Sequence, residues 1–340
     1  MAKYSIYKLH FTAPLHLGDR REDYGTSQKV VSSDTFYAAL TACLAKMGHE
    51  IPADGDLGVA ISSLFPYYQK DESEKKAVFF MPSPLFQPMP KLSDIGKAKK
   101  VKKVKWLDVS LFERILAGEE LFNNNDYMVA SVQGEYLTTS SIDKDFIHSQ
   151  VAQRVQVSRN VDDAIDKEDD KHKAETFYMD KVFFKGESGL YFIALGDTTN
   201  IDKAMPMLAM EGVGTDRNIG NGCFEYSKEE IVINIPNEAH HAVSLSMFFP
   251  ESQEQITSML NGEDVAYDME RRGGWITSPG YNKIRKNVIY GLTPGSVVKY
   301  GIHETIVLGK TVDLSPNIPN GPQHPVWRCG KAIFLPITIK

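Results

Sequence analysis

The chain has 340 residues, 42% of them hydrophobic and 24% charged, and its 38 Lys and Arg against 44 Asp and Glu leave a net charge of −6. That balance belongs to a soluble globular protein with one large domain or two of ordinary size, and it excludes the disordered and fibrous classes. No apolar run reaches membrane-spanning length, nothing at the N-terminus resembles a signal peptide, and three scattered cysteines (Cys43, Cys223, Cys329) speak against a disulfide framework or a cysteine zinc site, so a cytoplasmic protein without metal or cofactor is expected.

Tyr4 to Phe11 alternates apolar and polar residues and predicts a strand, followed by a turn at Pro14-Leu15-His16-Leu17-Gly18. Residues 19 to 32 are polar and include Arg20, Arg21 and Lys29. A helix is expected from an N-cap at Ser33 or Asp34, with Phe36, Leu40, Cys43, Leu44 and Met47 on one face and Gly48 as the stop. Leu57 to Phe65 suggests a second short helix, and Val78 to Met81 a strand that enters a proline-rich stretch. Six lysines then fall between Lys97 and Lys105, and Val109 to Leu121 has helical spacing. Residues 122 to 178 are the least regular part and predict a long excursion from the core, in the form of a protruding hairpin. Inside it, Val151 to Asn160 has strand character, and six acids crowd Asp162 to Asp170. Strands are expected again at Phe177 to Phe184 and Leu190 to Leu195, a helix at Ile201 to Met210, and a strand at Phe224 to Ile235. After a boundary near residues 236–240, strand, helix and extended segments repeat to the end. The class is α+β. The first unit reads strand, helix, two strands, helix, strand, which is the split βαβ order.

The most specific stretch is Glu211 to Phe224. Gly212, Gly214, Gly220 and Gly222 flank Arg217 between a helix and a strand. Glycine accepts positive φ and close backbone approach, and free amides beside an arginine suit phosphate oxygens. The loop lacks the Lys-Ser/Thr ending of a P-loop and the strand-to-helix setting of a dinucleotide fingerprint. An ordinary glycine-rich turn and a mononucleotide site both remain open. The lysine block is either a nucleic-acid contact or a solvated loop. His16 is either a general acid or base or a packed imidazole, with no catalytic partner evident. Arg154 and Arg159 bracket Val155 and Val157, which suits arginines on phosphates and a small apolar wedge against bases, or simply a core strand. Arg271-Arg272-Gly273-Gly274-Trp275 suits stacking on nucleic acid, or a buried tryptophan with rim arginines.

Taken in order, these motifs resemble a known family. Gly212 to Phe224 is similar to the C-terminal glycine-rich loop of the RAMP superfamily of CRISPR proteins. Pro14 to Gly18 with Ser32 to Leu40 resembles the start of the crRNA-handle subunit of the type III-A (Csm) effector. Arg154 to Arg159 resembles its thumb, and Arg271 to Ile276, Gly295 to Val297 and His324 to Ala332 resemble its C-terminal unit.

The resemblance implies two ferredoxin-like (RRM-like) units. Residues 1–238 would form a RAMP domain with a thumb insertion at about 122–178 and the glycine loop at 212–222, and residues 239–340 a smaller second domain. It implies a non-catalytic RNA-binding subunit for antiviral RNA-guided interference. Such a subunit binds the crRNA 5′ handle, caps the backbone filament, joins it to the large polymerase-palm subunit and meets target RNA near the thumb. Gly212, Gly214, Arg217, Gly220 and Gly222 would cradle handle phosphates. His16, Gly18, Arg20, Ser33 and Asp34 would shape the adjoining pocket. Arg154, Val155, Val157 and Arg159 would act at the thumb, and Arg271, Arg272 and Trp275 in the C-terminal unit. The acidic block departs from what a thumb near RNA would carry. The alternative is a RAMP-type endoribonuclease that processes precursor crRNA, with His16 as general acid or base.

Overall fold

A computed structural model describes residues 2–20, 23–71, 76–86, 99–100, 102–121, 131–156 and 175–339. β1 (Ala2–Phe11) leads into a small hairpin, β2 (Gly18–Arg20) and β3 (Asp23–Ser27), and then α1 (Ser33–Lys46). β4 (Val59–Ile61), β5 (Phe65–Tyr68), β6 (Val78–Pro82), β7 (Trp106–Asp108), α2 (Val109–Leu116), β8 (Ser131–Gln133) and β9 (Tyr136–Thr138) follow. A long hairpin of β10 (Ile147–Gln156) and β11 (Glu175–Phe184) precedes β12 (Gly189–Gly196), α3 (Thr199–Glu211) and β13 (Phe224–Ile233). The main sheet has the order β13-β1-β12-β5-β6-β7-β9-β8, with β4 also on β12.

β1 and β12 are buried on both faces. Tyr7, Leu9, Phe11, Leu190 and Phe192 join one core with Phe36, Leu40 and Leu208 of α1 and α3. Tyr4, Ile6, Tyr191 and Ile193, of the opposite parity, join a second core with Leu111, Phe112 and Ile115 of α2. Two-residue periodicity therefore sorts each strand between two cores; β12 carries no charged residue, whereas β1 keeps Lys3, Ser5, Lys8 and His10 among its buried positions.

The rest of the chain closes the second core. β14 (Ala239–Ser244) is followed by α4 (Gln253–Leu260), a ribbon of β15 (Met269–Arg272) and β16 (Ile289–Leu292), β17 (Val297–Ile302) and β18 (Ile306–Leu308). The pair β19 (Thr311–Asp313) and β20 (Trp327–Cys329), then β21 (Ala332–Ile337), complete it. The C-terminal sheet runs β17-β14-β21-β18. Val243, Leu335 and Val297 face the main sheet, while Ala242, Phe334 and Val298 face Met259 of α4. The result is four layers: α1 and α3, the main sheet, the C-terminal sheet, and α4.

Three sequence expectations change. Leu57 to Phe65 is not helical. Val59–Ile61 is a short buried strand, and Ser62 and Ser63 turn their hydroxyls onto backbone: Ile193 donates to Ser62 Oγ at 2.9 Å and Ser33 to Ser63 Oγ at 3.0 Å. These bonds come from residues 131 and 30 positions away, so contacts made by the fold decide the segment's structure. Ser32, rather than Ser33 or Asp34, is the N-cap of α1, which places the latter two in the first turn. Residues 131–138 rejoin the main sheet as β8 and β9, so the excursion within 122–178 is shorter than expected. What leaves the core is the β10–β11 hairpin, paired in continuous register from Ile147↔Phe184 to Gln156↔Glu175.

Candidate nucleic-acid interface

All four loop glycines adopt positive φ: Gly212 at 77°, Gly214 at 92°, Gly220 at 88° and Gly222 at 72°. Three of them also permit backbone contact. A Cβ on Gly214 would lie 2.3 Å from the His16 carbonyl oxygen, one on Gly222 1.9 Å from that of Val213, and one on Gly212 2.5 Å from that of Asn221. Gly220 has open space around it. The loop is pinned to the turn after β1 by Thr215 N–H to His16 O (3.0 Å) and Gly222 N–H to Pro14 O (2.9 Å). Gly214 thus serves docking onto residues 14–16, and Gly212 and Gly222 let the two ends of the loop pack on each other. The outward arc, residues 214 to 218, is what remains to meet a ligand.

A cleft of about 520 Å³ lies over that arc, lined by Lys46, Glu211, Gly214, Arg217, Asn218 and Thr277 among others. Lys46 ends α1, where a cation complements the helix dipole. Lys46 Nζ lies 2.6 Å from Glu211 Oε2, Arg217 NH1 lies 3.9 Å from the same oxygen, and Arg154 NH1 of β10 lies 3.3 Å from Asp216 Oδ2. Lys46 and Arg217 thus line the cleft beside Glu211 and Asp216, and Arg154 brings a third cation to Asp216 from β10. Exposed pairs of this kind contribute little to stability and exchange readily for phosphate oxygens. Sequence reasoning found Arg154 and Arg217 but missed Lys46, whose signal was a lone lysine at a helix end, and Thr277, which arrives from the far C-terminal unit.

Other predicted residues are structural. His16 is 0% exposed; its Nδ1 donates to the Asp180 carbonyl at 2.6 Å, and its Nε2 has no protein partner. Gly18 opens β2 with a Cβ position 3.7 Å from that Nε2. Ser33 is buried and accepts from Met247 N–H at 2.9 Å, tying α1 to the C-terminal sheet. Asp34, 0% exposed, accepts a bidentate pair from Arg272, Nε to Oδ2 at 3.0 Å and NH2 to Oδ1 at 2.9 Å. Arg328 NH1 donates to the Asp34 carbonyl at 3.1 Å, and Arg272 NH1 to Glu270 at 2.7 Å. Burial, with Arg328 and Arg272 nearby and Asp34 opposing them, pushes the Lys286 ammonium down to about 7. Asp34 and Arg272 were both expected to contact RNA; they satisfy each other instead, because a buried charge needs a partner.

The remaining candidates divide. Arg271 is exposed on β15, and Trp275 is half-buried with the Arg285 guanidinium 4.8 Å above its ring. Val155 is 54% exposed on the hairpin. Arg20 ends β2. Val157, Arg159, the acidic block and Lys97 of the lysine block lie outside the described residues. Lys102 and Lys105 from the end of that block line a second cleft, of about 560 Å³, with Phe65, Leu85 and Trp106. No helix among the described residues is long and apolar enough to cross a membrane.

Comparison with known proteins gives this geometry a setting. Residues 237–337 match the family model of the CRISPR Csm4 C-terminal domain. No curated protein sequence matches the chain. The fold is similar to a chain of a crystallised Csm3–Csm4 subcomplex of the type III-A CRISPR–Cas interference complex, with a TM-score of 0.62, 16% identity and 99% and 100% of the two chains covered. It is also similar to chains of the Csm1–Csm4 cassette with cA4 (TM-score 0.57, 18% identity) and with pppApA (0.55, 17%), each covering 100% of this chain and 99% of the other. Residues 237–337 therefore carry a Csm4-type C-terminal domain, and the chain as a whole shares the fold of these structures.

Proposed function

We propose that this chain is a non-catalytic RNA-binding subunit of a type III-A effector, which holds the crRNA 5′ handle in the glycine-loop cleft. The observation that carries the reading is that Lys46 of α1 and Arg217 of the loop line one cleft in exchangeable ion pairs, with Arg154 of β10 paired to its wall residue Asp216. The strand order β13-β1-β12-β5, with α1 and α3 packed on one face, supports a ferredoxin-like first unit, residues 1–238. The β10–β11 hairpin is then the thumb, set to meet target RNA, and residues 239–340 form the second, smaller unit. The related chains were crystallised with Csm1 and with Csm3. By that likeness this subunit joins a large polymerase-palm subunit to a backbone filament in the cytoplasm.

The endoribonuclease alternative rests on His16, whose complete burial supports a structural role. Incubation of the purified chain with repeat RNA tests it: no discrete cut is expected, and a cut that disappears in His16→Ala would establish the alternative. The binding reading is tested by purifying the effector from cells carrying Arg217→Ala together with Lys46→Ala. Reduced crRNA occupancy with an unchanged melting temperature is expected. Wild-type occupancy would overturn it.

A further inference from the structure

The β15–β16 ribbon is fixed on one face and bare on the other. Its inward face is tightly held. Leu292 and Phe248 exchange backbone hydrogen bonds at 3.0 Å. A Cβ on Gly291 would lie 2.5 Å from the Phe249 ring, and Arg272 is bound to Asp34 and Glu270. Two-stranded ribbons are marginal alone, so these contacts hold it rigid. Its outward face carries Tyr290, directly paired with Arg271, and beside them Met269, Val288 and Tyr267. Tyr290 is 57% exposed, Met269 51%, Tyr267 44% and Val288 44%. So much large apolar surface on one small face marks a site of interaction.

The charge around the ribbon points to the occupant. Across residues 269–292, Arg271, Lys283 and Arg285 are exposed, while the one acid of that stretch, Glu270, is half-buried against Arg272. The surface is also continuous with the cleft. From β15 the chain passes Trp275, which is stacked under Arg285, and reaches Thr277 in the cleft wall. Aromatic faces alternating with cations along one track, rigid in advance, suit splayed bases and their phosphates.

We propose that the outward face of this ribbon is a stacking platform for single-stranded RNA leaving the glycine-loop cleft, with Tyr290 and Tyr267 taking bases and Arg271 a phosphate. The inference rests on the proposed RNA-binding cleft and extends it by a second, separately located site.

The test is fluorescence anisotropy on the purified full-length chain, with a labelled short oligouridine and one twice its length. For wild type, the longer strand is expected to bind more tightly. Tyr267→Ala with Tyr290→Ala is expected to remove that gain, at least about tenfold for two lost stacking contacts, while the short strand binds as before. The matching pair of Phe substitutions, which keep the ring, restores it. Arg217→Ala weakens both strands. If the alanine pair leaves long-strand affinity unchanged while Arg217→Ala still weakens binding, the platform is wrong and the cleft reading stands. If neither strand binds wild type, both fail. If instead the alanine pair releases a protein subunit from the purified effector with RNA affinity intact, the ribbon is a protein interface and the proposal is overturned.

Discussion

Two charged sites within one fold, built from the same residue types, behave in opposite ways. At the glycine-loop cleft, Lys46, Arg154 and Arg217 meet their carboxylates at 2.6 to 3.9 Å in partly exposed geometry. At the N-terminus of α1, Arg272 holds a fully buried Asp34 with two bonds of about 3 Å, and Arg328 and Lys286 crowd the same carboxylate. Sequence motifs mark both as sites for RNA. Burial separates them: the first set of charges is available for exchange, whereas the second is committed to holding α1 against the C-terminal unit.

The sharpest break in that comparison is Asp34→Ala. It strands two arginines and Lys286 beside one another, and a loss of about 3–5 kcal/mol in denaturant unfolding is expected, as for any broken buried pair. A loss under about 1 kcal/mol would place the pair among surface contacts.

Next comes pH. The Lys286 value of about 7 lies below the ordinary lysine value of 10.5, so the unfolded chain binds the proton more readily between them. Its contribution to stability therefore rises with pH from about 7 towards 10.5, by about 2 kcal/mol between pH 7 and 9 at most. Lys286→Met should flatten that part of the stability profile. An unchanged slope would mean that Lys286 titrates normally.

The loop divides in the same way between docking and ligand. Gly222→Ala forces a Cβ onto the Val213 carbonyl in a positive-φ conformation, and about 1–3 kcal/mol of strain follows. Gly220→Ala meets open space and costs only the conformational preference, about 1 kcal/mol. Equal melting temperatures for the two variants would contradict the docking role. Smallest in stability is Arg217→Ala, expected within about 0.5 kcal/mol of wild type because its partner Glu211 lies 3.9 Å away and is already paired with Lys46.

How much of this was legible beforehand follows physical lines. β1, β12 and α1 were readable because a period of 2 or 3.6 sorts their residues between faces. The β4 region was misread because its short run carries no period and its serines act through backbone contacts far along the chain. The glycine loop was readable as a constrained turn. That Gly214 packs against His16 while Gly212 and Gly222 let the loop's own ends pack on each other required the fold. Asp34 and Arg272, 238 positions apart, bear no local sign of pairing. Nor does Thr277, which reaches the cleft only because the C-terminal unit folds back over α1.

The central claim is that the cleft, and not the buried clamp, carries RNA. Titrating repeat-derived RNA into the purified chain across a range of salt tests it most directly. For Lys46→Ala with Arg217→Ala, weaker binding and a log affinity against log salt slope shallower by about 2 are predicted, with unfolding unchanged. A slope and affinity equal to wild type would contradict the account.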